Sequence, residues 1–538
     1  MKRFFSLLLV IAMICGIFSL VACGNEPAET TASTPKAAES TSESERKPAE
    51  SSSSESSSVT DKASDTDKTT ESTGSGSSTD VVSSDNLDGM LKHPDYMDVN
   101  FGGSEFVFAT QKIDDWDCFE ISAELTGDDT ILEEAIEQRN RIVENLYSCK
   151  IVDLQGADRG ALISDDIATG KHTVDFMIAQ YSNATANANF LNIASLDIDL
   201  THDWWDQKFI ECFGFPIDGT RRLYTISGQF NLISYQAVWA IYMNRTRYEQ
   251  LRATGTITDD VYDLIDSGAW TVDAMIKMMG QAVQDVNGDS KLNYNDGDIM
   301  GMTTYNNGYA ERGFFFGIGG RGAVMDPITG YPAAISAENF EFYGELGNAV
   351  KKAIELTGSG FYQPVSGTQT YASFTNGQTL FVSECLGSTK NGDSEDANFT
   401  ILPFPKYNQT QESYYHYVCD RAYGLKVSAA VTARDDVAKF LEVFAFHSKQ
   451  IVYPAYLTYY ATQIFRGERT VDMLDLVLRT KVYDPDYWFR GGSGIVGLCS
   501  TYLLNKKDTG YSRAIVANAA ASNEVYAQRV ETLRKLTY

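Results

Sequence analysis

The chain has 538 residues, and 72 Asp and Glu residues against 44 Lys and Arg residues give it a formal net charge of −28 at pH 7. This acidic balance argues against a nucleic-acid partner, because proteins that bind phosphates carry clusters of Lys and Arg. With five histidines and no H-E-x-x-H motif, the sequence gives little support to metal-hydrolase chemistry.

The N-terminus has the layout of a bacterial lipoprotein export signal. Two basic residues precede an apolar run from about Phe4 to Leu20, which ends in the sequence LVACG. We predict a signal peptide over residues 1–22 and lipidation of Cys23, including palmitate, which places the mature chain on the extracytoplasmic face of a cell membrane. The alternative is an uncleaved transmembrane anchor, although the run is near the lower limit of roughly 17–25 residues for a span.

Residues 23–88 are almost entirely Ser, Thr, Glu, Asp, Ala, Lys and Pro, with hardly any aromatic residue. Such a segment cannot bury enough apolar surface to fold. A flexible coil of about 60 residues has an r.m.s. span on the order of 45 Å. We therefore predict a disordered linker that holds the following domain close to the membrane.

Residues 89–538 have the composition of an aromatic-rich globular domain. About 450 residues exceed what one hydrophobic core usually organises, so two lobes are expected. An exported location permits disulfides, but the spacing of the cysteines leaves their pairing open. Outside the export signal and the lipidation motif these cysteines are Cys118, Cys149, Cys212, Cys385, Cys419 and Cys499.

Strand and helix patterns alternate in the first part of this domain. The predicted strands are Glu105–Thr110, Cys149–Leu154 and 174–179, and helices begin near Thr130 and Gly160. This β-α-β-α-β order predicts a mostly parallel sheet covered by helices. Since ligands lie at the carboxyl ends of strands in such sheets, Trp116 and Tyr181 in the loops after the first and third strands are candidate ligand contacts.

An acidic loop that begins at Asp285 has the spacing of a calcium-binding loop. Oxygen-bearing side chains fall at loop positions 1, 3, 5, 9 and 12, and position 7 offers its backbone carbonyl, which is the pattern that wraps a Ca²⁺ ion. The predicted ligands of this structural Ca²⁺ are Asp285, Asn287, Asp289, Lys291, Asn293 and Asp296. Ser290 replaces the usual glycine. The loop also resembles the calcium loop of dockerin repeats, and the alternative is an acidic turn without metal.

Five segments follow one another in an order found in a known class of proteins. They are YQAVWAIYMNRTRYE from Tyr235, AWTVD from Ala269, QTLF from Gln378, LPFP from Leu402 and AYGLKVS from Ala422. Behind a lipidation motif, this series resembles the type II extracellular solute-binding lipoproteins of ABC importers, of the sugar-binding type.

The resemblance implies a two-lobed α/β clamp that closes by hinge motion on a ligand in its cleft. It implies that lobe 1 covers about residues 95–228 and 424–450 and that lobe 2 covers about 229–400 and 466–538. Such a protein has no catalytic residues, and its partners are ABC permease subunits in a Gram-positive membrane. The closed, liganded form is what a permease would recognise.

The aromatic content of 12% indicates a carbohydrate ligand, because sugar rings present apolar C–H faces that stack on Trp and Tyr. Each candidate aromatic has core packing as its alternative. The ligand contacts predicted by position are Trp116, Tyr181, Trp204, Trp205, Tyr305, Trp488 and Arg490. At Ser383-Glu384-Cys385, where the family presents a ligand-facing loop, this chain has no aromatic residue.

Two other classes of function stay open from the sequence. A lipid-anchored carbohydrate-active enzyme would need two carboxylates roughly 5–9.5 Å apart across a cleft. A surface adhesion protein would use the calcium loop for interaction. The G-x-G-x-x-G pattern at residues 317–322 does not favour a dinucleotide site, because no helix pattern follows it.

Overall fold

The computed structural model describes residues 92–110, 121–122, 130–156, 158–180, 188–335, 340–391, 398–465, 467–490, 494–505 and 510–536. The predicted signal peptide, Cys23, the linker, Trp116, Cys118 and Tyr181 lie outside the described residues. Among the helices that are described, none combines the length and the apolar character needed to cross a membrane.

The strands occur throughout the described chain. They are β1 Ser104–Thr110, β2 Cys149–Gln155, β3 Phe176–Gln180, β4 Phe215–Ile217, β5 Thr220–Arg222, β6 Trp239–Asn244, β7 Met300–Tyr305, β8 Ala323–Met325, β9 Pro332–Ala334, β10 Tyr362–Val365, β11 Thr379–Cys385, β12 Phe399–Leu402, β13 His416–Tyr417, β14 Tyr423–Val427 and β15 Lys481–Val482.

The helices alternate with these strands. They are α1 Thr130–Tyr147, α2 Arg159–Thr169, α3 Gln207–Phe213, α4 Leu232–Gln236, α5 Arg245–Ala253, α6 Val261–Asp266, α7 Val272–Ala282, α8 Tyr309–Gly317, α9 Phe340–Thr357, α10 Gly367–Thr375, α11 Arg434–His447, α12 Tyr453–Tyr459, α13 Thr470–Arg479, α14 Pro485–Phe489, α15 Ile495–Leu504 and α16 Tyr511–Lys535. Two π-helical turns, Ser448–Val452 and Tyr460–Ile464, flank α12.

Sheet 1 has the strand order β14-β3-β1-β2. β1 is parallel to β2 and to β3, whereas β14 returns antiparallel to β3. The prediction of a mostly parallel β-α-β-α-β sheet is confirmed. Parallel pairing requires crossover helices, and α1 and α2 supply them. As a result, the carboxyl ends of β1, β2 and β3 lie at one edge of the sheet.

Sheet 2 has the strand order β10-β7-β11-β6-β12. β7 is parallel to β10 and β11, and β6 runs antiparallel between β11 and β12. Every residue of β11 is buried, as expected for a central strand covered on both faces. Because β6 is reversed, its first residue, Trp239, lies at the same edge as the last residues of β7 and β11.

The core of sheet 1 is made by phenylalanine rings from α11. The Phe440 ring stacks on Phe106 at 3.9 Å between centroids and on Phe176 at 5.7 Å. One helical turn later, Phe444 lies 5.4 Å from Phe108. This spacing of four residues places both rings on one face of the helix, so α11 is fixed to the sheet by aromatic packing.

Within the described residues, two segments lead from one sheet to the other, 227–238 and 403–422, and a third, 448–465, leads from α11 to the C-terminal helices. We call these three the crossing segments. The first two pair with each other through the bridge Val238↔Val418. The first also packs on the third, since the Tyr235 ring lies 5.5 Å from Tyr453 and 5.3 Å from Tyr456. The prediction of a two-lobed α/β fold is confirmed, whereas the lobe boundaries and the hinge motion stay predictions.

Five cysteines of the described chain are buried free thiols. They are Cys149, Cys212, Cys385, Cys419 and Cys499.

Candidate ligand-binding site

The edge of sheet 2 where β7 and β11 end and β6 begins carries a group of aromatic and charged side chains. Tyr305 ends β7 and is 42% exposed. Its ring lies over Gly367 at the start of α10, because a Cβ at that glycine would be 3.7 Å from two ring atoms. Tyr305 is therefore a predicted ligand contact whose ring is accessible. It lies at the carboxyl end of a parallel strand, where ligands bind in such sheets.

An aromatic platform lies at the same edge, formed by Trp239, Tyr309 and Tyr417. The Trp239 and Tyr309 rings are 5.3 Å apart at an interplanar angle of 24°. Tyr417 is 6.2 Å from Trp239 and 6.5 Å from Tyr309. Trp239 and Tyr417 are buried, whereas Tyr309 is half-buried. The two buried rings thus support a third ring that reaches the surface.

Charged groups surround Tyr309. The Arg312 guanidinium lies 4.6 Å from the Tyr309 ring centroid and 5.7 Å from that of Tyr487, within the range of cation–π attraction. On the other side, the Tyr309 hydroxyl donates to Asp420 Oδ1 at 3.3 Å. Asp420 is exposed. The guanidinium covers one face of the Tyr309 ring and the carboxylate lies at its hydroxyl edge. The exposed part of the ring, together with these two charges, suits a ligand with apolar faces and hydroxyl groups.

The platform also contains a polar atom without a partner. Among the described residues, the buried indole Nε1 of Trp239 has no hydrogen-bond acceptor. A buried donor left unpaired costs roughly 1–3 kcal/mol. This indole therefore adds a donor that a ligand hydroxyl or an ordered water would satisfy.

Glu384, next to the end of β11, is a buried acidic group at this edge. Its side chain is 93% buried, and its backbone neighbour Cys385 donates an N–H to Glu384 Oε2 at 3.3 Å. Burial raises the pKa of Glu384 from 4.5 to about 7, although hydrogen bonds from Cys385 and Ser388 and the charge of Arg421 oppose the shift. Near neutral pH, the Glu384 carboxyl can therefore donate a hydrogen bond when it is protonated and accept one when it is ionised.

The raised pKa of Glu384 predicts a pH-dependent stability. A carboxyl that keeps its proton longer when folded contributes stability that is full below pH 4.5 and is lost as the pH rises through 7. Ionisation of Glu384 should lower the free energy of unfolding of the wild type by on the order of 3 kcal/mol as the pH rises, and Glu384→Gln should not show this decrease. Urea unfolding at pH 4.5, 6 and 8 measures the difference. Glu249→Gln, at an exposed position, is the control. Equal pH profiles for Glu384→Gln and the wild type would contradict the prediction.

The carboxyl edge of sheet 1 carries a polar group at the ends of β1 and β2. Asp153 accepts hydrogen bonds from Thr110 Oγ1 and, at 2.8 Å, from Ser122 Oγ. Gln155 Nε2 donates to Ser122 Oγ at 3.1 Å. These side chains are consistent with hydrogen bonding to a polar ligand.

Three of the predicted ligand contacts, Trp204, Trp205 and Trp488, are buried elsewhere in the fold. Trp204 donates its indole N–H to Glu442 Oε2 at 2.9 Å and lies 4.0 Å from the His202 ring. Trp488 packs on Tyr487 at 5.3 Å and on Phe213 at 6.0 Å. Both rings are at least 93% buried, so their faces are covered by neighbouring side chains.

The structure places Trp205 at a cavity of about 220 Å³ beside the crossing segments, together with Gln229, Tyr235 and Lys481. Arg490 is half-buried and follows α14. Tyr305, Trp204, Trp205 and Trp488 are therefore not brought into one group. The platform residues were missed by the sequence analysis as ligand contacts, although Trp239 lies within the YQAVWAIYMNRTRYE segment.

Several solved structures resemble the chain over most of its length. A cyclo/maltodextrin-binding protein complexed with maltotetraose matches at 11% identity, with a TM-score of 0.49, over 80% of this chain and 98% of its own. The maltose-binding periplasmic protein MalE from Listeria monocytogenes, in complex with maltose, matches at 12% identity, with a TM-score of 0.46, over 81% and 99%. An ABC substrate-binding protein from the same organism, in complex with cycloalternan, matches at 12% identity, with a TM-score of 0.44, over 79% and 99%.

A scan against protein-family models and a search of curated proteins find no match to the chain. Because the TM-scores of these structures are below 0.5, the assignment of a two-lobed architecture rests on the two sheets of this chain and not on the similar structures.

The predicted calcium loop is a second candidate site. It lies between α7 and β7 and is closed by the bridge Gln284↔Ile299. Asp285 accepts backbone N–H groups from Gly288 at 2.6 Å and from Ser290 at 2.7 Å. Asn287 and Asp289 accept N–H groups within the loop at 2.9 Å and 2.8 Å. A helix precedes the loop and a strand follows it.

Asp298, which the sequence analysis did not include, also organises this loop. It is buried, and it accepts N–H groups from Val286 at 2.8 Å and from Asn293 at 2.9 Å. These hydrogen bonds lower the pKa of Asp298. The donor set consists of hard oxygen atoms, which fit Ca²⁺ better than a softer metal.

Ser290 holds the position where glycine is usual, with a φ of 67°. A left-handed conformation costs an L-residue roughly 1–2 kcal/mol, which glycine avoids. We expect Ser290→Gly to raise the free energy of unfolding by about 1 kcal/mol in urea denaturation. Gly288→Ala, at a φ of 75°, is the matched control and should change stability in the opposite direction. A loss of stability in Ser290→Gly would refute this assignment of strain.

Proposed function

We propose that the chain is a binding protein that delivers a sugar or oligosaccharide to an ABC importer. The observation that carries the proposal is the aromatic platform at the edge of sheet 2, with its accessible Tyr309 ring between Arg312 and Asp420. Aromatic faces with polar groups at the rim are what a sugar ring requires. Maltotetraose, maltose and cycloalternan, bound in the similar structures, are sugars too, but the argument rests on the platform.

In this proposal, the ligand's C–H faces stack on Tyr309 and Tyr305, and its hydroxyl groups meet Asp420 and Glu384. Sheet 1 contributes the polar group at its carboxyl edge, and the crossing segments let the lobes close. No bond of the ligand is broken, because binding alone shifts the population from the open to the closed form. The affinity equals the free-energy difference between the closed, liganded state and the open, free state.

A thermal-shift and calorimetry screen of the full chain against mono- and oligosaccharides, combined with product analysis, tests the proposal. A sugar that binds only the folded protein should stabilise it by RT ln(1 + [L]/Kd), about 2.7 kcal/mol at 100 times Kd. Saturable stabilisation without turnover supports the binding-protein function. Released or shortened sugar would instead identify a carbohydrate-active enzyme, and a screen without any stabilising sugar would overturn the carbohydrate proposal.

We also propose that Cys23 is lipidated and anchors the chain to the outer face of the membrane. The support is the LVACG motif at the end of an apolar run. Cys23→Ala should abolish incorporation of labelled palmitate and release the protein from the membrane fraction, while its sugar affinity stays unchanged. Membrane retention of Cys23→Ala after an alkaline wash would show that another segment holds it.

A third proposal is that the loop from Asp285 to Asp298 binds one structural Ca²⁺. Its support is the oxygen-rich loop that folds around Asp285 before β7. Chelation should lower the melting temperature of the wild type, and Asp285→Ala should remove that response. Asp259→Ala, in a different acidic turn, is the control and should respond as the wild type does. No change on chelation would leave the loop as an acidic turn.

A further inference from the structure

A cluster of two histidines and an aspartate lies where residues 93–96 pack against residues 199–204 and α11. One potential ligand atom from each of His93, Asp95 and His202 lies within 4.8 Å of the other two. The two imidazole centroids are 5.7 Å apart. We call these three residues the histidine cluster, and none of them belongs to the platform or the acidic loop.

His93 has a buried nitrogen without a partner. The residue is 98% buried, and its ring is held by Tyr96, Trp204 and Phe446 at 4.7–5.2 Å between centroids. Its Nδ1 accepts the Asp95 backbone N–H at 3.1 Å, whereas Nε2 has no hydrogen-bond partner among the described residues. Unpaired buried polar atoms are uncommon and usually indicate a missing ligand or water.

His202 is oriented by carboxylates. Its Nδ1 lies 3.2 Å from Glu442 Oε2, and its Nε2 lies 3.6 Å from Asp199 Oδ2. Glu442 is fully buried and is itself fixed by the Trp204 indole. Both imidazole nitrogens of His202 therefore lie near carboxylates. The contact of Nδ1 with Glu442 is the kind that orients metal-binding histidines, and it directs Nε2 toward Asp199.

We propose that the histidine cluster binds one divalent transition-metal ion, for which Zn²⁺ is the probe. Two imidazoles and one carboxylate form the nitrogen and oxygen set that Zn²⁺ accepts at about 2.0–2.2 Å, with a fourth position for water or Asp199. Binding through His93 Nε2 moves that ring's proton to Nδ1. The ring then loses the hydrogen bond from the Asp95 backbone N–H, whereas the unpaired Nε2 gains a bond to the metal.

The nearby negative charge favours a cation at this position. The Asp199 and Glu442 carboxylates lie beside His202, and the exposed Asp95 carboxylate lies within 4.8 Å of a nitrogen of each histidine. A metal held there fixes the 93–96 turn to the segment that carries His202. The site is independent of the proposed sugar binding, because it shares no residue with the platform.

The test is a Zn²⁺ titration of the chelator-stripped full chain by calorimetry. We expect one strong equivalent, and a loss of affinity of at least about 10-fold in His202→Ala. Asp95→Asn, at an exposed position, should also weaken Zn²⁺ binding. This variant keeps the proposal testable if His202→Ala misfolds. Co²⁺ should give the visible absorption of a nitrogen and oxygen site in the wild type, and that absorption should be lost in both variants.

Two matched controls separate this site from other metal binding. His172→Ala removes a histidine paired with Asp175 outside the cluster, and Asp285→Ala alters the acidic loop. Both should keep the wild-type affinity for Zn²⁺. The proposal is overturned if the chain binds no Zn²⁺, if His172→Ala weakens binding as much as His202→Ala does, or if Asp285→Ala alone removes it.

Discussion

Replacement of Phe440 by alanine is expected to lower the free energy of unfolding by about 3–5 kcal/mol. The ring is completely buried and stacks on Phe106 and Phe176 of two neighbouring strands. Its loss removes the apolar contacts that attach α11 to sheet 1 and leaves a cavity that the rigid strands cannot close. Urea unfolding followed by circular dichroism measures the change.

Ile328→Ala is the control for this substitution. Its side chain is 91% exposed, so the free energy of unfolding should change by no more than about 0.5 kcal/mol. Phe440→Leu keeps part of the buried volume and should lie between the two. A loss below about 1 kcal/mol in Phe440→Ala would mean that the α11 rings do not form the core of lobe 1.

Replacement of Tyr309 by alanine is expected to weaken sugar binding by about 10–100-fold. The ring is the accessible member of the platform, and stacking together with burial of apolar area contributes roughly 1.4–2.7 kcal/mol at such a contact. Calorimetry with the best sugar from the screen measures the change. Tyr309→Phe keeps the ring but loses the hydrogen bond to Asp420, so its loss of affinity should be smaller.

Tyr262→Ala is the matched control, because Tyr262 is a half-buried tyrosine that hydrogen-bonds to Thr400 outside the platform. It should leave the sugar affinity unchanged. If Tyr309→Ala folds normally and binds sugar as tightly as the wild type does, the platform is not the ligand site.

The strands and helices of lobe 1 could be predicted because their signals are local. Alternation of Phe106 and Phe108 marks β1, and the helical pattern that begins near Thr130 marks α1. The reversed strand β6 is different, since its partners β11 and β12 follow it by well over 100 residues. Nothing in residues 239–244 alone specifies an antiparallel place between those strands.

The candidate site was predicted less completely for the same reason. Tyr305 could be proposed from the sequence as a ligand contact because it lies shortly after the predicted acidic loop, at the end of the strand β7. Trp239, Tyr309 and Tyr417 come together from distant segments, and no spacing rule links them. Residue type also does not distinguish a ring that contacts ligand from one such as Trp204, whose indole is engaged by Glu442.

The reversed direction of β6 has a mechanical consequence. The first crossing segment ends at Val238, and the platform begins at the next residue. In the proposed clamp, a ligand stacked on this group would lie directly beside a segment that joins the two lobes, so that ligand binding and lobe closure would be directly coupled. A substitution that merely tilts the Trp239 ring should therefore alter the rate of closing even when equilibrium affinity is preserved.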